Sequence, residues 1–266
     1  MTTRAASSDE PDATGSGALE LRGIVKYYEK PGRGSVLVLD EVDIDVDAGA
    51  FVSLIGPSGC GKTTLMNVVA GLVDPNEGTM RRDGRTVSPD NLSLGYVFQD
   101  DRLLEWRTVA QNVRFALKAR DVPTEEREGR IEHYLDMVGL APEADNYPSR
   151  LSGGMRQRVA IARALAVEPE MLLMDEPFSS LDEITAGDLR EELLDIWRTE
   201  GMTVLFVTHD INEAVFLSDT IYMMDRRGQV FARRDVDIER PRHYEDPSVA
   251  QREAELYGEF HAHVTS

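Results

Sequence analysis

Lysine is scarce in this chain of 266 residues: Lys26, Lys30, Lys62 and Lys118 are the whole complement. The other basic residues are arginines, and acids outnumber bases so far that the formal net charge is −19. Such a surface repels a phosphate backbone, so sequence-independent nucleic-acid binding is disfavoured and no nucleic-acid partner is expected. It suits high ionic strength instead, where screening shortens the Debye length to about 3 Å at 1 M salt. A salt-adapted protein is expected, with an ordinary acidic cytosolic protein as the alternative. One cysteine, Cys60, allows no internal disulfide and closes the disulfide-scaffold class. Long apolar runs are missing too. Stretches such as Met171–Met174 and Val204–Val207 fall far short of the roughly 18 residues that cross a bilayer. Residues 1–17, rich in small and acidic types, lack the basic and apolar regions of a secretory signal and read as a disordered acidic tail.

What is present is an ordinary globular composition, 41% hydrophobic, enough for a sizeable core. Ala18–Lys26 and Val36–Val46 read as antiparallel strands broken by the turn Pro31-Gly32-Arg33-Gly34. Phe51–Ile55 reads as a buried strand, followed by a glycine-rich turn and a helix over Thr63–Leu72. Between about Asp100 and Glu168 the apolar spacing is helical, as at Val113 and Leu117 and at Ile131, Leu135 and Val138. Parallel-type strands return at Met171–Met174 and Thr203–Val207, separated by a helix with Ala186, Leu189, Leu193 and Ile196 on one face. Ile221–Met224 and Gln229–Ala232 close the strands, and Pro247–Phe260 reads as a terminal helix.

The chemistry is concentrated in a few segments. Gly56-Pro57-Ser58-Gly59-Cys60-Gly61-Lys62-Thr63, with Thr64 after it, fits G-x-x-x-x-G-K-[ST] between a strand and a helix. Glycines let main-chain N–H groups close around phosphate oxygens, and the helix start adds unpaired donors and a positive dipole end. Lys62 supplies a cation for the β- and γ-phosphates and Thr63 a hydroxyl for Mg²⁺. Cys60 reads as a small residue presenting its amide. Leu172-Leu173-Met174 runs into Asp175-Glu176. At the mouth of a buried strand Asp175 can hold Mg²⁺ through water, while Glu176 faces the γ-phosphate and polarises an attacking water. Such an acidic pair is usually a solvated strand end; the phosphate loop upstream reverses that reading.

Leu151-Ser152-Gly153-Gly154-Met155-Arg156-Gln157 carries a resemblance. It is similar to the signature motif of ABC-type ATPases, and its position upstream of Asp175-Glu176 also matches that family. Its own physics is a second anion site, because Ser152, Gly153 and Gly154 open a helix whose N–H donors can meet a phosphate. A capped surface helix is the plainer reading, but it leaves two successive glycines at a helix start unexplained. The resemblance implies an α/β fold: a P-loop NTPase core with mixed sheet, an antiparallel β subdomain and an α-helical insertion subdomain. The segments fall at 1–17 for the tail, 18–99 and 169–235 for the nucleotide-binding core, 100–168 for the helical part with the signature, and 236–266 for the C-terminal tail and helix.

The resemblance further implies ATP and Mg²⁺ as cofactors and a head-to-tail dimer, each nucleotide held between one copy's phosphate loop and the other copy's signature. Tyr28 resembles the aromatic that stacks on adenine, with Tyr27 as the adjacent alternative. Gln99 resembles the glutamine that reaches Mg²⁺ and the attacking water, and His209 the switch histidine at the γ-phosphate. Ser180-Leu181-Asp182 resembles the loop touching the opposite subunit, although Asp182 is equally a helix N-cap. Signature residues through Gln157 belong to the nucleotide-binding set. His261-Ala262-His263 is too short for a metal site and reads as mobile tail.

A separate transmembrane permease, a solute-binding protein outside the membrane and a place on the cytoplasmic face are implied in turn. The stretch Gln99–Phe115 is the expected permease-docking surface. Val97-Phe98-Gln99, Leu103-Leu104-Glu105-Trp106 and Glu239-Arg240-Pro241-Arg242 resemble the nitrate, sulfonate and taurine importer branch, apart from Glu105 where that branch commonly has proline. Little chain after Phe260 is expected to leave room for a large regulatory domain. Repair-type ABC ATPases need long coiled coils, translation-associated ones usually carry two cassettes, and a small-molecule kinase leaves residues 151–157 unexplained.

Overall fold

The structure is a computed structural model, and it describes residues 17–264 except Pro31, Arg33, Asp90 and Asn91. The expected tail therefore lies outside the described residues except at Gly17, where the first strand begins.

Two sheets carry the fold. β1 (Gly17–Lys30) and β2 (Gly34–Asp47) form a long antiparallel hairpin, extended by β4 (Glu77–Arg82) and β5 (Arg85–Thr86) in the order β2-β1-β4-β5. In β2 the apolar Val42, Ile44 and Val46 are buried and the acidic residues between them exposed, the alternation of a sheet with one wet face. The second sheet has six strands: β3 (Phe51–Ile55), β6 (Leu94–Val97), β7 (Met171–Asp175), β8 (Thr203–Thr208), β9 (Thr220–Met224) and β10 (Val230–Asp235). Their order is β10-β9-β3-β8-β7-β6, parallel throughout except β10. Every residue of β3, β7, β8 and β9 is buried, as a sheet covered on both faces requires.

Side chains of β8 divide two cores. Val204 and Phe206 face helices α2 (Val109–Ala119), α3 (Thr124–Met137) and α4 (Gly153–Leu165), whereas Leu205 and Val207 face α1 (Lys62–Val69) and the antiparallel sheet. A third cluster joins α6 (Ile211–Leu217) to α7 (Pro247–Val264) through Val215, Val249 and Leu256. α5 (Glu183–Glu200) runs between β7 and β8 and ends at Gly201 with φ 63°.

Three details depart from the sequence reading. β1 continues past Lys26 to Lys30, so Tyr27 and Tyr28 are strand residues paired with Leu37 and Val36. β4, β5 and β6 carry no alternating signal: Met80 is the one buried residue of β4, and β6 contains Gly95, where a Cβ would stand 2.7 Å from Ala164 O. The histidines expected in a mobile tail lie in α7, and the His263 ring stacks on Phe231 at 3.8 Å.

The segment from Val236 to Asp246 straps α6 to the sheet. Arg242 is buried, and it donates to Val215 O and Ser218 O at 2.7 Å, to Ile238 O at 3.0 Å and to Val236 O at 3.2 Å. Burial, with Arg240 nearby, pulls its pKa down to about 10. The last carbonyls of a helix have no partners of their own, and a cation there also suits the dipole. Arg242→Met is expected to cost about 2–4 kcal/mol of unfolding free energy by urea titration, because it orphans several buried carbonyls at once.

Candidate active site

The phosphate loop follows from strand β3 and helix α1. Gly61 has φ 114°, and a Cβ there would stand 2.7 Å from Val38 O, so the turn is closed to any side chain. Gly56 is closed by Cys60 Sγ at 2.7 Å and Met224 O at 2.9 Å. Gly59, with φ 79°, and Ser58 are exposed at the tip, Pro57 and Thr64 are half-buried and Thr63 is exposed. Cys60 is buried and its amide donates to Pro57 O at 3.2 Å; burial pushes the thiol up, so it acts as a small apolar residue.

Lys62 is only 4% exposed, and its ammonium is folded over the loop. Nζ donates to Gly56 O at 2.9 Å and to Pro57 O at 3.3 Å, and stands 3.3 Å from Glu176 Oε1. A charge taken out of water needs such partners.

Sheet register brings the acids to it. Ile55 pairs with Thr208, Asp175 with Val207 and Met174 with Val97, so Gly56, Glu176, His209 and Gln99 all leave one edge of the parallel sheet. Glu176 has φ 44°, left-handed for a residue with a side chain, and its amide donates to Val207 O at 2.8 Å. Its Oε2 is 3.0 Å from His209 Nδ1. Asp175 is buried with Oδ1 unpartnered, and it accepts a hydrogen bond from Thr63. Burial raises its pKa, the neighbouring charge of Glu176 adds to the rise, and Thr63 and Lys62 offset part of it.

Gln99 lies beside the segment that follows Glu176. Its Nε2 donates to Ser179 Oγ at 3.3 Å, and Ser179 Oγ donates to Glu176 O at 2.9 Å, so it stands on the Glu176 side. Ser179 escaped the sequence reading; its one signal was its place three residues after Glu176.

The signature segment is elsewhere. Ser152 Oγ caps α4 by accepting from Met155 N at 3.3 Å. A Cβ on Gly154 would stand 2.5 Å from Thr185 Cγ2 of α5, which accounts for one of the two glycines. Among the described residues, no hydrogen bond or ion pair joins Ser152–Gly154 to the phosphate loop or to Glu176. Gln157 is 3% exposed on the inward face of α4 beside Ala160 and Ile161, with its Nε2 unpartnered, so in the single chain its side chain lies under the surface.

Asp182 caps α5, accepting from Thr185 N at 3.1 Å and from Thr185 Oγ1 at 2.8 Å, which holds its carboxyl below the usual range. Tyr28 shares a face with its partner Val36, and at Val38, where the register of the ladder shifts, the main-chain carbonyl abuts Gly61. Lys26 Nζ lies 5.1 Å from the Tyr28 ring centroid.

Residues 39–179 match the ABC transporter family. The nitrate import ATP-binding protein NrtD of Synechococcus elongatus is 40% identical over 247 residues, 89% of either chain. NrtC of the same organism, also a nitrate import ATP-binding protein, is 45% identical over 221 residues; these are 82% of this chain, which spans 34% of that longer protein. A dimeric ATP-binding cassette, solved in a post-hydrolysis state bound to ADP and Pi, superimposes with a TM-score of 0.73 at 33% identity, covering 83% of this chain and 100% of the other. A phosphate loop backed by two acids and a histidine, a family match over more than half the length and a cassette fold together mean that the chain belongs to the ABC transporter family and is an ATP-binding, ATP-hydrolysing cassette of it.

Proposed function

We propose that this chain is the ATP-binding subunit of an importer for nitrate, sulfonate, taurine or a related small anion, driving a separate transmembrane permease that receives solute from an extracytoplasmic binding protein. Two copies, or this chain and a related subunit, close head to tail on the cytoplasmic face. One observation carries the reading. The groups suited to the γ-phosphate converge on one edge of the sheet, while the donors of Ser152–Gly154 open on a separate surface with no bond to them. Each is half of an anion site, and a second copy completes both. The division at 18–99, 100–168, 169–235 and 236–266 is part of this reading.

In the closed pair, the main-chain N–H groups of residues 58–63 and the Lys62 ammonium bind the phosphates, and Tyr28 stacks on the base. The Lys62 ammonium exchanges loop carbonyls for phosphate oxygens, which frees Glu176 Oε1 to accept a proton from the attacking water. His209 holds Glu176 Oε2 and orients the carboxylate. Gln99 is joined through Ser179 to the Glu176 main-chain carbonyl, and Asp182 with Ser180 meets the second copy. Thr63 and Asp175 would hold Mg²⁺, because a buried carboxylate oxygen without a partner lies beside a hydroxyl. When bound there, Mg²⁺ neutralises charge building on the phosphate oxygens.

A groove lined by Tyr96, Phe98, Arg102, Phe115 and Ala116 opens between β6, α2 and α4, with Trp106 73% exposed beyond it. It suits a short amphipathic helix of the permease. Glu105, the departure from the branch pattern, binds Arg156 of α4 at 2.9 Å and so joins the docking loop to the signature helix. Among the described residues no helix is long and apolar enough to cross a membrane, which agrees with a separate permease.

Glu176→Gln is expected to slow hydrolysis by about 10²–10⁴-fold and to accumulate an ATP-loaded dimer in size-exclusion chromatography. Adding Gly153→Glu should return that species to monomers that still bind nucleotide; monomers that have lost binding would refute the split site. For Asp175 the sign is set by burial. With a folded pKa raised above its ordinary 3.8, the carboxyl favours the folded state in acid and that advantage is lost as pH rises through the folded value. Asp175→Asn should therefore gain stability over the parent from acid towards neutrality in urea titrations, while the Mg²⁺ dependence of nucleotide affinity disappears. The acidic surface predicts a melting temperature that climbs from dilute buffer to molar KCl; a flat profile would remove the salt-adaptation reading.

A further inference from the structure

Behind Glu176 and His209 runs a line of paired charges that the chemistry above does not use. Arg190, two turns into α5, is 1% exposed. Its Nη2 donates to Glu183, the first residue of that helix, its Nε donates to Ala186 O at 3.2 Å, and its Nη1 stands 3.7 Å from Glu213 Oε1. Glu213, buried on α6, accepts a hydrogen bond from Thr208 Oγ1 at 2.6 Å through its other oxygen. The same Thr208 oxygen accepts from Asp210 N at 3.0 Å. His209 therefore sits between Thr208, which Glu213 holds, and Asp210, whose amide is bound to Thr208, and its ring reaches Glu176 at 3.0 Å. The Tyr244 ring, stacked on Phe216 at 4.3 Å, lies 5.0 Å over the Arg190 guanidinium and keeps water from it.

The physical consequence lies in what each end can do. Glu183 is largely exposed and adjoins Asp182, whereas Glu213 is buried and cannot lose its cation cheaply. A shift in the first turn of α5 is thus carried by one guanidinium to the loop that bears the histidine.

We propose that Arg190 is a positioning residue that ties the start of α5, where a second copy would arrive, to His209 through Glu213 and Thr208, so that closure of the pair acts on the His209–Glu176 contact already formed in the single chain. The inference rests on the head-to-tail reading above and adds the intrachain route from that interface to the reacting carboxylate.

The test uses Arg190→Lys, Arg190→Met, Glu213→Gln and Thr208→Val in the full chain, with steady-state hydrolysis and NMR of the histidine rings assigned by His209→Gln. Thr208→Val and Arg190→Met should each lower kcat about tenfold with KM for ATP changed less than about twofold. Arg190→Lys should recover part of that loss, and the Arg190→Met, Thr208→Val double variant should be no slower than the worse single one, as for groups acting along one route. The His209 ring resonances should move in Arg190→Lys while those of His133 stay. Parental kcat in the folded variants, or an unmoved His209 signal, overturns the proposal. If Arg190→Met fails to fold, Thr208→Val and Arg190→Lys decide alone, since one leaves the ion pairs intact and the other keeps the charge. A Glu176→Gln chain that never dimerises with ATP indicts the head-to-tail reading instead, and the NMR result then judges the Arg190 route separately.

Discussion

A lysine ammonium held almost out of water is the constraint around which the molecule is arranged. Lys62 can be buried only because loop carbonyls and the Glu176 carboxylate surround it. Those partners come from two segments more than a hundred residues apart, so the loop cannot be correct unless β7 lies in register beside β8, and β8 beside β3. The left-handed backbone at Glu176 follows from the same demand, since it turns the carboxylate back over the sheet edge. Local strain and buried charge are tolerated because fully buried strands on both sides over-determine the position.

The same edge explains how chemistry can be converted into movement. Gln99 leaves β6 beside Glu176, and the loop after it is bound to the helical layer by cations of α4. Arg156 takes Asp101 at 2.8 Å and Glu105 at 2.9 Å, and Arg163 donates to Asp101 O at 2.7 Å and Arg102 O at 2.8 Å. The signature helix and the exposed groove beside Phe115 are therefore tied to this loop, and no hydrogen bond or ion pair among the described residues ties Ser152–Gly154 to the phosphate loop. Ser179 and Gln99 join the same loop to the Glu176 main chain, in front of a parallel sheet whose close packing makes it a firm frame.

Much of the site was legible because its parts are contiguous. A strand, a glycine turn and Lys62-Thr63 occupy neighbouring positions, and so do the apolar run and Asp175-Glu176. Other parts were not. Gln157 stood in a motif that suggests nucleotide contact, yet a helix turns 100° per residue and the inward side of α4 is decided by what packs on it. Tyr27 and Tyr28 look alike in the sequence, and their register, opposite Leu37 and Val36, is fixed only by the ladder. Ser179 has no pattern of its own and acquires meaning only from the two groups it bridges. The short strands β4 and β6 were invisible because β4 has one apolar residue and β6 only four residues, so both take their conformation from the strands beside them.

What the sequence determined by itself is the set of local anion sites: glycines where the backbone must turn or approach, a cation, a hydroxyl and acids at a strand end, and a second helix start that can offer free N–H groups. Those are short-range requirements, satisfied within a few residues, and so they can be read along the chain. Only the tertiary structure decided that Glu176, His209 and Gln99 share one edge, that Ser152–Gly154 open away from it, and that Arg190 and Arg242 lie buried among acids and carbonyls. These depend on strand order and on which faces lose water, and both are properties of segments far apart in sequence.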